Sequence, residues 1–220
     1  VPWAEYRENI TTVSVDEPVT FVPGAAIDYL FAGCVNLKRG NLNKLNTEGV
    51  VSMNSVFEGC ELLKDIDMAS FNTAKTVTMR SMFMNCDSIE QLDLSGFDVS
   101  EVLDMSWMFC GCERLKRLSL EAWNTSNVLN TGHMFQYCGR LDSLTPEVID
   151  MKNVEIADEM FDGTVAEQAY REIVRKAEAE RAKAAELAEQ ERQKAAQPKK
   201  SSFFSFFSRN SEPVSEPAPV

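Results

Sequence analysis

The sequence predicts an α+β repeat protein, a solenoid in which each 26-residue unit supplies one short strand and one short helix. Three observations predict it. Phenylalanine recurs at Phe31, Phe57, Phe83, Phe109, Phe135 and Phe161, an interval of 26 residues with no insertion. Three residues after each stands a cysteine (Cys34, Cys60, Cys86, Cys112 and Cys138), replaced by Thr164 in the last unit. A leucine pattern then follows in each unit. One such unit holds no core of its own, whereas stacked units turn every column into a ladder and close one.

Residues 1–30 do not fit the columns. Trp3, Tyr6 and Ile10 are apolar and "TTVSV" alternates as a strand does, so this segment is expected to be an N-terminal cap. Residues 31–164 form the solenoid. Met105, Met108, Phe109 and Cys112 fall at i, i+3, i+4 and i+7, the spacing of one helix face, and Met79, Met82, Phe83 and Cys86 repeat it. Gly59 and Gly111 suit the end of such a helix, where a positive φ is often needed. Leu115, Leu118 and Leu120 come next, matched by Ile89, Leu92 and Leu94 and by Leu63, Ile66 and Met68. The alternation at the end of this pattern predicts a short strand with its intervening polar residues facing outward. Phe71, Phe97 and Trp123, each followed by Asn or Asp, mark the turn that leads to the next unit. The last unit is degenerate, with Pro146 in its strand, as suits a terminal position.

Residues 165–197 are rich in Ala, Glu, Lys, Arg and Gln, which are strong helix formers. Glu167/Arg171 and Glu172/Lys176 pair at i,i+4. A long solvated helix of roughly 45 Å is expected, with a weak coiled coil as the alternative. Pro198 stops it. Residues 198–220 read as a flexible tail with a Pro-rich end. Within it Lys199 and Lys200 precede Phe203, Phe204, Phe206 and Phe207, a set suited to docking on a membrane surface or in a partner's groove.

Charge is unevenly placed. Residues 1–164 carry 12 basic and 25 acidic side chains, a net of −13, while residues 165–220 carry 10 and 9, a net of +1. An acidic body argues against nucleic acid as a partner, because neutralising phosphates needs a basic face. There is no run of 18 apolar residues long enough to span a membrane. The chain begins at Val1 rather than Met, which reads as a processed form or an excised fragment.

The cysteine column has a plain structural reading, since a free cysteine behaves as a small buried hydrophobe. A disulfide between neighbouring units is the alternative. Cys110 stands outside the column, where other units have Glu58, Met84, Gln136 and Asp162. It is expected to face outward or sit at the rim, and it is the one candidate reactive thiol. His133 is the single histidine and is expected at the surface, with no second histidine to support a triad or a metal cluster. Outward aspartates such as Asp65, Asp67 and Asp93 have calcium-compatible oxygens but are read as solvated. No catalytic residue, metal site or cofactor is expected, and the protein is read as non-enzymatic.

The stretch "DLSGFDVSEVLDMSWMFCGCERLKRLSL" resembles the 26-residue leucine-rich repeat of BspA-like bacterial surface proteins, also found in Mycoplasma lipoproteins and lactic-acid-bacterial surface proteins. "PWAEYRENITTV" is similar to the segment before the first repeat in that family, and the likeness runs over about residues 3–163. The resemblance implies a leucine-rich-repeat solenoid, usually extracellular, tied to adhesion or protein binding. The expected function is therefore a surface-exposed or secreted bacterial module that binds a protein or glycan ligand. Its candidate face is formed by the outward strand residues Arg39, Asn41, Asp65, Asp67, Gln91, Asp93, Arg117, Ser119, Ser143 and Thr145. The alternative is an intracellular, cytoplasmic or membrane-associated scaffold, with peripheral membrane contact through the C-terminal helix and Phe-rich tail.

Overall fold

The computed structural model describes residues 1–120, 122–142 and 149–196. It divides into two compact units, Val1–Ala177 and Glu178–Val220. The first is a β-solenoid.

Its coils are joined by short parallel strands. Strands β1 (Thr12–Ser14), β2 (Val19–Thr20) and β3 (Ala25–Ala26) lie in the first coil, and β4 (Arg39–Asn41), β5 (Leu45–Asn46) and β6 (Val50–Ser52) in the second. They pair β1 with β4, β2 with β5 and β3 with β6. Strand β7 (Asp65–Asp67) adds to β4, and β8 (Gln91–Asp93) pairs with β9 (Arg117–Ser119). On another side, bridges run from Ser52 to Thr78, Asp104, Asn130 and Ile156, one residue per coil. The repeat interval of the sequence is thus the length of one coil. Residues 12–26 carry no repeat columns, yet they extend the ladders. Thr12 faces Arg39, Val19 faces Leu45 and Ala25 faces Val50, offsets that slide from 27 to 25 before an irregularity after Ala25 restores 26. That drift hides the first coil from a gap-free reading of the sequence.

The core is a column of rings. Phe31, Phe57, Phe83, Phe109, Phe135 and Phe161 stack face to face, with centroids 5.1–5.9 Å apart. Both ends are closed by residues from outside the repeat. Trp3 stacks on Phe31 at 5.8 Å and donates its indole N–H to the Leu30 carbonyl. Tyr170 tilts onto Phe161 at 4.7 Å and donates its hydroxyl to the Ala157 carbonyl. Such ring pairs add to the apolar area that each side chain removes from water.

The expected helix in each unit does not form. Met79, Met82, Phe83 and Cys86, and their equivalents, are fully buried as their spacing predicts, but they lie on consecutive turns. The backbone explains this. Two residues per coil, four apart, adopt the left-handed conformation: Ser55 and Gly59, Ser81 and Asn85, Trp107 and Gly111, His133 and Tyr137. Alternate N–H groups then point along the solenoid, so Met53, Ser55, Phe57 and Gly59 donate to the carbonyls of Thr78, Arg80, Met82 and Met84 in the next coil. A helix would hold those donors inside itself, four residues back. Among the described residues the one α-helix is α1 (Glu167–Ala196), inside the 165–197 stretch expected from composition.

Strand register sets the outer face. Val13, Gly40, Ile66, Leu92 and Leu118 form the inward column. Gly40 is required by close approach, because a Cβ there would stand 2.1 Å from Ile66 Cδ1 and 2.9 Å from Val13 Cγ1. Ile66 fills the space that Gly40 leaves, so β7 is seated on β4.

Candidate functional site

The candidate face is built from the outward positions of three-residue strands. Arg39, Asn41, Asp65, Asp67, Gln91, Asp93 and Arg117 are exposed, and Ser119 is half-buried. Ladder register sets Arg39 beside Asp65 and Asn41 beside Asp67, and sets Gln91 beside Arg117 and Asp93 beside Ser119. Ser143 and Thr145, expected to continue this face, lie outside the described residues. So do Lys199, Lys200, Phe203, Phe204, Phe206 and Phe207 of the tail.

These residues fall into two sheets. No backbone hydrogen bond joins β7 to β8. The coils are fastened on either side of the gap: Ser88 N–H donates to the Glu61 carbonyl at 3.1 Å, and the Thr73 hydroxyl donates to the Asp98 carbonyl at 2.9 Å. The separation is therefore local. It opens two adjoining cavities that share Ile66 and Asp93. One, of about 410 Å³, is walled by Lys64, Asp65, Gln91 and Arg117. The other, of about 290 Å³, is walled by Asp67 and Ser95 with Met68, Phe71 and Phe97 beneath. The leucine pattern reads alike at Ile66, Leu92 and Leu118, so nothing in the repeat columns marks this seam.

Some face residues also shape the backbone. Asn41, Asp67 and Asp93 each accept the N–H of the residue two positions on, at 3.0–3.2 Å, and so close the turn after their strands. The Ser95 hydroxyl, and then its backbone amide, hold the Asp93 carboxyl below the usual carboxylate range. The same turn occurs at Asn72, Asp98 and Asn124, where the sequence predicts it. One position before β8, Glu90 is bridged by Arg114 at 2.8 Å and Lys116 at 2.9 Å.

The cysteine column is buried in the reduced form. Cys60, Cys86, Cys112 and Cys138 each donate the thiol to a phenylalanine carbonyl 29 residues back, at 3.0–3.2 Å. Burial pushes the Cys60 and Cys138 thiols up to about 12, and Cys86 and Cys112 well above the ordinary range. A thiol so held does not form the thiolate that nucleophilic attack requires. Cys110 corrects the expectation of an outward or rim position. It is 3% exposed, with its thiol 3.9 Å from Gln136 Oε1 in the next coil, and burial raises it to about 11.

His133 lies at the surface in part, within a network that spans two coils. Its side chain is only 23% exposed. The imidazole stacks on Trp107 at 3.9 Å, and Nδ1 lies 3.2 Å from Gln136 Oε1 and 3.4 Å from Glu159 Oε2. Gln136 Nε2 donates to the same Glu159 oxygen, which completes the network. The signal that could have found it was the column itself, because Trp107, His133 and Glu159 stand 26 apart and therefore touch. Among the described residues no three His, Cys, Asp or Glu converge as metal ligands, and no helix is long and apolar enough to cross a membrane.

A family model described as "Mycoplasma protein of unknown function, DUF285" matches residues 25–145 and, overlapping, residues 92–173. No curated protein and no solved structure matches the chain.

Proposed function

The chain belongs to this Mycoplasma protein family of unknown function, and from that premise we propose that it is a non-enzymatic binding module of the bacterial cell surface. In this reading the coils are leucine-rich repeats of the BspA-like kind, and the exposed strand face carries the ligand contact. A protein is the preferred ligand. The observation that carries the reading is the register within the two sheets, which sets exposed Arg39 beside Asp65 and exposed Gln91 beside Arg117, with an open cleft between the sheets. The interior offers no comparable chemistry, since its thiols are buried and protonated.

A quadruple variant of the full chain tests this: Arg39→Asp, Asp65→Lys, Asp93→Lys and Arg117→Asp. Wild type and variant are applied to a protein array and a glycan array, with thermal melts to show that both are folded. Binding that vanishes in the folded variant supports the face. Ligands that bind both forms equally overturn it. Protease shaving of intact cells tests location, and complete protection of the chain refutes surface exposure.

A further inference from the structure

The seam between β7 and β8 interrupts a ladder that is otherwise parallel and regular. Where the ladder closes, N–H and C=O groups of one coil pair with those of the next. Where it opens, the facing edges of β7 and β8 lack that partner and border a solvent-open cavity. In a solvent-open place water satisfies such groups, and a ligand with its own donors and acceptors can displace it. An extended peptide is the ligand whose own backbone does so.

Charge narrows the ligand further. Among the described residues, no ion pair involves Lys64, Asp65, Asp67 or Arg117, although groups of both signs border the cleft. One residue before β8, by contrast, Glu90 is already neutralised by Arg114 and Lys116. The cavity beneath Asp67 and Asp93 has an apolar floor of Met68, Phe71 and Phe97. A lysine or arginine would suit it, with its methylene stem on the floor and its charged head at the two aspartates. In the larger cavity, Lys64 and Arg117 suit a carboxylate. A glycan platform would instead present exposed rings, and the two aromatic residues here, Phe71 and Phe97, are buried.

We propose that the β7/β8 cleft seats an extended peptide segment of the partner, with a basic side chain at Asp67 and Asp93 and an acidic one at Lys64 and Arg117. This rests on the proposed protein-binding role of the strand face and assigns the contact within it.

The test uses the full chain and a displayed library of random heptapeptides, and the selected sequences are synthesised for titration. The expected ligands carry both a basic and an acidic residue. Their affinity should fall about tenfold or more in Asp93→Lys and in Arg117→Glu, and also with added salt. Lys75→Glu, at an exposed turn position outside the strand face, should change it less than about threefold. Equal melting temperatures show that the variants fold. Failure to select any peptide overturns the inference, as do peptides indifferent to the cleft variants or an oligosaccharide that binds there instead. If a ligand is lost in the quadruple variant but kept in Asp93→Lys and Arg117→Glu, the cleft assignment fails and the strand-face reading stands. If no variant affects any ligand, both fail.

Discussion

Phe109→Ala removes a ring from the middle of the column. Phe109 is fully buried and sits 5.9 Å from Phe83 and 5.5 Å from Phe135, so the truncation opens a cavity between two rings that no other side chain fills. Truncation of a buried phenylalanine costs about 3–5 kcal/mol through lost transfer energy and the residual cavity. Two stacked contacts are lost with it, each contributing about 0.5–1.5 kcal/mol beyond area, in part already counted in that figure. A loss of about 4 kcal/mol is therefore expected. For a chain of this size it corresponds to a fall of roughly 8–16 °C in melting temperature. Urea titration and thermal melting of the full chain, followed by circular dichroism, measure it directly. Phe109→Leu keeps most of the apolar volume and should lose less than half as much. A loss below about 1 kcal/mol for Phe109→Ala would refute the reasoning, since it would mean that the coils hold together without the stack.

Thiol titration with an aromatic disulfide near pH 8 should find none of the six cysteines reactive in the native chain and all six in denaturant; fast reaction of Cys110 would contradict its burial. Because burial raises the folded-state thiols of Cys60 and Cys138 to about 12, the unfolded chain releases those protons first. Their contribution should be intact below about pH 9 and be lost as pH rises toward 12, so urea midpoints should fall over that window. Gly40→Ala should destabilise by about 1–3 kcal/mol through overpacking against Ile66, and Ile66→Val, which removes Cδ1, should recover most of it in the double variant. Thermal melts of the four-member cycle measure that coupling, and additive losses would refute it. Tyr170→Phe keeps the ring on Phe161 but loses the bond to the Ala157 carbonyl, an expected cost of about 1 kcal/mol by urea titration.

The coil length, the buried phenylalanine and cysteine columns and the outward strand residues from Arg39 to Arg117 were legible, because each depends on a side-chain period that the sequence repeats without a gap. The helix was not. Met105, Met108, Phe109 and Cys112 have the spacing of a helix face, and a run of turns with one side on the core imposes the same spacing. The discriminating sign lay in a second pair of columns, such as Ser81 with Asn85 and Trp107 with Gly111, whose left-handed backbone no α-helix accommodates. Gly111 looks like a helix stop only when Trp107 is ignored. The burial of Cys110 was hidden because its column holds Glu58, Gln136 and Asp162 in other units, whereas its own thiol is covered at Gln136 in the next coil. The β7/β8 seam has no counterpart in residue type. Nor does a pattern of apolar letters carry the fit of Ile66 into the space that Gly40 leaves, which is a matter of packing volume.

Closure of the ring column by Trp3 and Tyr170 has a consequence for how such a chain can change over generations. Neither terminal residue belongs to the repeating portion, so both would find a phenylalanine to cover however many coils lay between them. Loss or duplication of one whole coil would still leave each remaining ring a neighbour to stack on, only shortening or lengthening the column. Loss of a single residue would set every later ring out of line. Slippage in the gene by whole repeats is thus the cheap route to a new length and a new surface, and the two caps are what make it so.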